Sequence, residues 1–159
     1  MRCFPLLILF GASVVAAQPP QARIAASHGY DKAVELMRGN ARAVLCPEIG
    51  GRVLEFSVGG KQAMWFDEAE RTRQPGGPAP SSAGRFDFGP EMTTPRHMLI
   101  WGGAWTAEIT GPSSARLTSQ KDASSGVQLM RDFELAESKA ATSGRGPQIR
   151  LICKQTITN

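Results

Sequence analysis

Residues 52–60 read Arg52-Val53-Leu54-Glu55-Phe56-Ser57-Val58-Gly59-Gly60, and they form the clearest strand-and-turn pattern in this chain. Apolar and polar side chains alternate over residues 54–58, which is the period of a half-buried β-strand. The glycine pair matches a two-residue hairpin turn, because such turns need backbone conformations that glycine adopts without strain. The segment therefore predicts a strand, a tight turn and a returning strand at residues 62–66.

Similar patterns continue on both sides of this hairpin. Upstream, two short apolar segments at residues 33–37 and 41–46 are separated by Gly39-Asn40. Downstream, polar, Gly-rich or Pro-containing turns separate a series of apolar or alternating segments, at residues 97–101, 105–109, 116–120, 127–135 and 149–157. Short strands at this spacing, with no amphipathic helical pattern of useful length, predict an all-β, antiparallel β-sandwich over residues 29–159.

Residues 67–82 interrupt the strand pattern. They begin with mixed charges and end in the run PGGPAPSS, at residues 75–82. The segment predicts a long surface loop with a short helical turn at its start. Loops of this length in compact domains are usually functional or disordered.

The first 17 residues are typical of a secretory signal peptide. Arg2 precedes a short apolar run, and Val15-Ala16-Ala17 supplies small residues for cleavage. The run is shorter than the roughly 20 apolar residues that span a bilayer. It predicts a secreted or periplasmic protein with no membrane contact after cleavage and a flexible mature N-terminus at residues 18–28. An uncleaved N-terminal anchor is the alternative.

Charge and cysteine content narrow the classes of partner. The formal net charge is +4, but the basic residues are scattered, so the sequence does not indicate a nucleic-acid partner.

Cys3 would leave with the signal peptide, and Cys46 and Cys153 remain as a candidate disulfide or as two small buried hydrophobic residues. No metal-ligand spacing or nucleotide-binding motif is present, so we expect no metal and no cofactor. The oligomeric state is left open.

The densest group of functional side chains follows the long loop. We take five residues as candidates for substrate binding: Arg85, Glu91, His97, Trp101 and Trp105. Arg offers paired planar donors, and Trp offers a flat apolar face with one N–H, a combination that suits the hydroxyl rims and C–H faces of a sugar. His can exchange a proton near neutral pH. The alternatives are structural: core Trp residues, a structural His97, and a surface ion pair of Arg85 with Asp87.

The order of these motifs resembles the galactose-mutarotase-like (aldose 1-epimerase-like) β-supersandwich family. The resemblance rests on residues 43–56, AVLCPEIGGRVLEF, followed by Met64-Trp65, Gly84-Arg85, the His97 region and the Trp105 strand. The stretch of residues 41–159 more closely resembles exported bacterial proteins of this fold.

This resemblance implies carbohydrate binding, with Arg85 and His97 matching the family's sugar-binding Arg and first His. The family's catalytic acid and base, a second His and a Glu, lie further along the chain and have no match here. Residues 155–159 also read as a strand with no closing turn. We therefore expect the N-terminal part of a supersandwich, truncated at its C-terminus and without catalytic residues. The alternative is a non-catalytic carbohydrate-binding or structural domain of the cell envelope.

Overall fold

The computed structural model describes residues 18–71, 73–75, 77, 82–89, 96–138 and 148–159. These residues form two antiparallel sheets that pack against each other, so the predicted all-β sandwich is confirmed. The expected signal peptide at residues 1–17 and the candidate residue Glu91 lie outside the described residues.

The first sheet follows chain order. Its strands are β1 (Gln18–Ser27), β2 (Tyr30–Gly39), β3 (Ala41–Cys46), β4 (Arg52–Val58) and β5 (Lys61–Gln62). The hairpin expected at Gly59-Gly60 joins β4 to β5, and both glycines have positive φ, at 57° and 76°. The returning strand is two residues long rather than five, and the side chains beyond it leave the sheet, with Trp65 69% exposed.

Strand β1 is a correction to the sequence prediction, which assigned residues 18–28 to a flexible terminus. Ten residues of this segment form a strand that pairs with β2 along the edge of the sheet, and Ile24 lies opposite Val34. Pro19 and Pro20 fall within a shift of register between Gln18 and Gln21. An edge strand tolerates proline because the missing N–H would face away from the ladder.

The second sheet contains the longest run of paired residues between two strands in the described part of the molecule. Its strands are β6 (Thr106–Gly111), β7 (Ser114–Thr118), β8 (Gln128–Glu137) and β9 (Ile149–Thr158), in that order. Before β6, the chain forms a short helix, α1 (Met98–Gly102), where the sequence predicted a strand at residues 97–101. A five-residue apolar run has no period long enough to distinguish the two states.

The main core lies between the two sheets. It combines inward side chains of β2 with those of the second sheet, and Leu36, Leu117, Leu129 and Phe133 are each at most 1% exposed. Ile100 of α1 is buried in the same core. Burying a side chain of this size contributes about 1.5–3 kcal/mol, so this layer is the main source of stability.

The first sheet is also covered on its outer face. A second apolar cluster there contains Tyr30, Val44 and Leu54, and Phe66 packs on it from the segment that follows β5. The described parts of residues 67–82 are therefore not only a surface loop. The 3-10 turn Glu68–Glu70 inserts Glu70 beneath the surface.

A buried ion pair fixes this covering segment. Arg52 Nη1 lies 2.5 Å from Glu70 Oε2, and both side chains are fully buried. Ser82 Oγ donates to the same carboxylate oxygen at 2.6 Å, and Arg52 Nη2 donates to Tyr30 Oη at 2.9 Å. The outer layer is thus joined to the sheet by charged hydrogen bonds as well as by apolar contacts.

Candidate functional site

The centre of the candidate site is the carboxylate of Asp87. Its Oδ1 accepts hydrogen bonds from the indole N–H of Trp101 and from the backbone N–H of Phe88, the latter at 2.8 Å. His97 Nε2 lies 3.1 Å from the same oxygen. One oxygen of Asp87 is therefore held by three groups from two chain segments.

The imidazole of His97 is enclosed by aromatic rings. The Phe88 ring stacks on it with centroids 4.0 Å apart and an interplanar angle of 15°, and the Trp101 ring lies 4.1 Å away, tilted by 55°. His97 is fully buried. In this arrangement His97 can orient the carboxylate of Asp87 but does not reach the molecular surface.

The surface part of the cluster consists of Arg85 and Asp87. Arg85 Nη2 lies 3.4 Å from Asp87 Oδ2, and the two side chains are 32% and 26% exposed. The guanidinium carbon of Arg85 lies 5.9 Å from the centroid of the Trp101 ring. The Arg85 guanidinium thus lies over the largely buried Trp101 ring and beside a carboxylate oxygen, and solvent reaches Arg85 and Asp87.

The environment keeps the Asp87 carboxylate ionised. Burial by itself raises the pKa of Asp87, but hydrogen bonds from Trp101, His97 and the Phe88 amide, with the charge of Arg85, outweigh it and hold the pKa below its ordinary value. At neutral pH the group is therefore a hydrogen-bond acceptor only.

Hydrogen bonds at two places join residues 84–88 and α1 to the two sheets. The backbone of Gly84 exchanges hydrogen bonds with Val53 of β4, at 2.8 and 2.9 Å, and Arg131 of β8 donates to the Gly84 carbonyl at 3.0 Å. The Gly50 N–H donates to the Gly103 carbonyl, just after α1, at 2.8 Å. Residues 84–88 and α1 are thus each bonded to the sandwich.

The turn at residues 50–51 requires glycine. Gly50 and Gly51 have φ of +64° and +56°. A Cβ on Gly50 would lie 2.1 Å from the Trp101 carbonyl oxygen, and one on Gly51 would lie 2.4 Å from the Trp105 ring. This turn therefore packs directly against the backbone of Trp101 and the ring of Trp105.

Trp105 belongs to a different feature. It is 5% exposed and its indole N–H donates to the Ile100 carbonyl at 3.1 Å. It lines a groove of about 540 Å³ where β1 and β6 approach, together with Ile24, Lys32 and Glu48. Among the described residues that line this groove, none is Arg85, His97 or Trp101. The structure thus brings three of the five candidates together and separates Trp105, while Glu91 is outside the described residues.

The sequence prediction missed the role of Asp87, which it treated only as an ion-pair partner of Arg85. The two-residue spacing of Arg85 and Asp87 was the available signal, but the ten-residue separation from His97 gave no local pattern. Phe88 was missed for the same reason. His28, given no role in the sequence analysis, lies at the β1–β2 turn with Nε2 3.5 Å from Glu55 Oε2.

The candidate disulfide is not formed in the structure. Cys46 and Cys153 are both free thiols. Cys46 belongs to the outer cluster of the first sheet, whereas Cys153 packs on the core side of β9, so different layers hold them. Burial is the main reason why the pKa of the Cys46 thiol is raised to about 12.

Comparison of the chain with protein-family models, with curated proteins and with solved structures finds no match. Within the described residues, no group of three or more His, Cys, Asp or Glu side chains is arranged to hold a metal ion. The same residues include no helix with the length and apolar character needed to cross a bilayer. A functional hypothesis must therefore be built on the Asp87 cluster itself.

Proposed function

We propose that the protein binds carbohydrate through Arg85 and Asp87, beside Trp101. The observation that carries the proposal is that the two oxygens of the Asp87 carboxylate have different surroundings. Oδ1 is occupied by three groups, and Oδ2 faces Arg85 at the partly exposed surface. Neighbouring sugar hydroxyls can donate to a carboxylate oxygen and accept from a guanidinium at the same time.

Preorganisation of the carboxylate supports this proposal. Asp87 is fixed by Trp101, His97 and the Phe88 amide before any ligand arrives. A ligand would then bind with little loss of side-chain entropy at that residue. The lowered pKa of Asp87 keeps its acceptor oxygens ionised over the whole neutral range.

The resemblance to the galactose-mutarotase-like family is a second line of support. Arg85 and His97 match the Arg and the first His that bind sugar in that family, and here His97 would act by positioning Asp87. The proposal concerns binding only. Reversible ring opening would need an acid and a base on opposite sides of the anomeric carbon, and we assign no such pair. We further propose export, on the pattern of residues 1–17.

Isothermal titration with monosaccharides and oligosaccharides at millimolar concentration tests the proposal. We expect Arg85→Ala and Asp87→Asn each to weaken binding at least about tenfold, the effect of losing one charged hydrogen bond. Arg116→Ala is the matched control, because Arg116 pairs with Asp132 at 2.6 Å and is 41% exposed in its side chain, away from the cluster. Its binding should equal that of the parent protein.

A second control separates the cluster from the Trp105 groove. Thr106 is exposed and lines that groove, so Thr106→Arg would obstruct it while leaving the cluster intact. Loss of sugar binding in Thr106→Arg with retention in Arg85→Ala would transfer the site to the groove and refute the proposal. Absence of binding to every sugar, with lower thermal stability in Asp87→Asn, would indicate a structural role for the cluster.

A further inference from the structure

The Trp105 groove is a cavity that the proposed sugar site does not include. It lies where β1 and β6 approach each other, and its volume is about 540 Å³. Pockets that hold small molecules typically have volumes of roughly 300–1,000 Å³. Because none of Arg85, His97 and Trp101 is among its described lining residues, a ligand in this groove would occupy a different site from a sugar at the Asp87 cluster.

Most of the described lining of the groove is apolar. Ile24 of β1 and Ala107 of β6 line it, and Ile24 is 56% exposed. Trp105 and Pro47 are buried, and the backbone N–H of Trp105 donates to the Pro47 carbonyl at 2.7 Å, which fixes the two residues to each other. A ligand with an apolar body would therefore remove exposed hydrocarbon from water without rearranging these two residues.

Two charged side chains, Lys32 and Glu48, are the only ones among the described lining residues. The partly buried Glu48 carboxylate is positioned through one oxygen, because Oε2 accepts from the backbone N–H of Lys32 at 2.8 Å. Neither side chain takes part in an ion pair within the described residues. The groove thus offers a ligand one ammonium group and one carboxylate oxygen.

The hydrogen bond from Lys32 to Glu48 also limits how far apart these charges can be. The Lys32 ammonium is at the end of a flexible four-carbon chain that starts from the residue to which the Glu48 carboxylate is bonded. The two charges therefore lie within about one lysine side chain of each other. A ligand that complements both needs its own positive and negative groups close together.

We propose that the Trp105 groove binds free α-amino acids that have an apolar or aromatic side chain. The ligand's ammonium donates to Glu48, its carboxylate accepts from the Lys32 ammonium, and its side chain covers Ile24 beside Trp105. A ligand with a carboxylate alone would leave Glu48 without a donor, and one with an ammonium alone would leave Lys32 without an acceptor. The apolar contacts supply affinity and the two charges supply selectivity.

Isothermal titration of the full chain with three ligands that share one indole ring tests the proposal. L-Tryptophan carries both charges, tryptamine carries only the ammonium, and 3-indolepropionate carries only the carboxylate. We expect L-tryptophan to bind about threefold to fivefold more tightly than either of the others, which is the effect of one partly exposed ion pair. With ¹⁵N-labelled protein, its largest amide shifts should fall on Ile24, Thr106 and Ala107.

Two variants assign the selectivity to the charged residues. Glu48→Gln keeps an acceptor for the Lys32 N–H and should weaken L-tryptophan about threefold to fivefold, without weakening 3-indolepropionate. Lys32→Met should weaken L-tryptophan to the same extent without weakening tryptamine. Lys154→Met is the matched control, because Lys154 is an exposed lysine of β9 outside the described lining, and it should bind all three ligands as the parent protein does.

A third variant tests the location of the site. Thr106 is exposed and lines the groove, so Thr106→Arg should abolish the binding of L-tryptophan. Equal affinities for the three ligands, absence of binding at millimolar L-tryptophan, or binding that survives Thr106→Arg would each overturn the proposal. Because the ligand series uses the parent protein, it decides the outcome even where a variant does not fold.

Discussion

Replacing Glu70 by Gln should destabilise the protein far more than the loss of a surface ion pair. The change keeps the size of the side chain and removes its charge. Arg52 then remains fully buried opposite a neutral amide, and its Nε already lacks a hydrogen-bond partner. Removing one partner of a buried pair typically costs about 3–5 kcal/mol, because the other charge stays desolvated.

The magnitude can be checked against the geometry. The Glu70 carboxylate takes Arg52 Nη1 at 2.5 Å, Ser82 Oγ at 2.6 Å and Arg73 Nη2 at 3.3 Å. Gln can accept through one oxygen only, and its NH₂ would face a cation. We therefore expect about 3–5 kcal/mol from urea unfolding followed by fluorescence, with an unchanged denaturant slope.

A double replacement separates charge burial from packing. Arg52→Met with Glu70→Leu removes both charges at similar volume, and such changes are often neutral or stabilising by about 1–4 kcal/mol. Arg116→Ala, which breaks an exposed pair, should leave the urea midpoint nearly unchanged. A loss below about 1 kcal/mol for Glu70→Gln would show that the pair behaves as a solvated one and would refute the argument.

Three further predictions concern other parts of the fold. Gly51→Ala should lower the free energy of unfolding in urea by about 2–4 kcal/mol, because φ is +56° and the new Cβ would meet the Trp105 ring at 2.4 Å. An unchanged urea midpoint would contradict this. Leu117→Ala should cost about 2–5 kcal/mol, since Leu117 is fully buried, and a smaller loss would show that the core collapses around the gap. Burial lowers the pKa of His28 in the folded state, although the charge of Glu55 opposes this. The unfolded chain therefore binds a proton first, and the free energy of unfolding should fall as pH drops below about 6.5, until His28 is protonated in the folded state as well. His28→Asn tolerates the positive φ of 54° and should abolish that pH dependence of the unfolding midpoint.

The parts of the fold that were predictable are those with a long local pattern. The alternation at β4 and the Gly59-Gly60 turn fix a hairpin because register and turn conformation are both local properties. Strand β1 was not predictable from residues 18–27, because its prolines and polar residues match a terminus. Its stability comes from pairing with β2, which is a tertiary effect.

The candidate site was predictable only in part. Arg85, His97 and Trp101 were chosen for their chemistry, and the structure gathers them. The sequence could not show that one carboxylate, Asp87, joins them, because that contact crosses from an irregular segment to α1. It also could not show that Trp105, four residues beyond Trp101, faces another groove.

The three-layer arrangement around the first sheet has a consequence for its dynamics. The residues of β3 have the sandwich core on one face and the outer cluster on the other, and Ala43, Val44 and Leu45 are all 0% exposed. Strand β9 is an edge, with Ile152 and Ile157 about half exposed, at 48% and 51%. Amide protons of β3 should therefore exchange with deuterium only when the whole molecule opens, while those on the outer side of β9 exchange through local fraying.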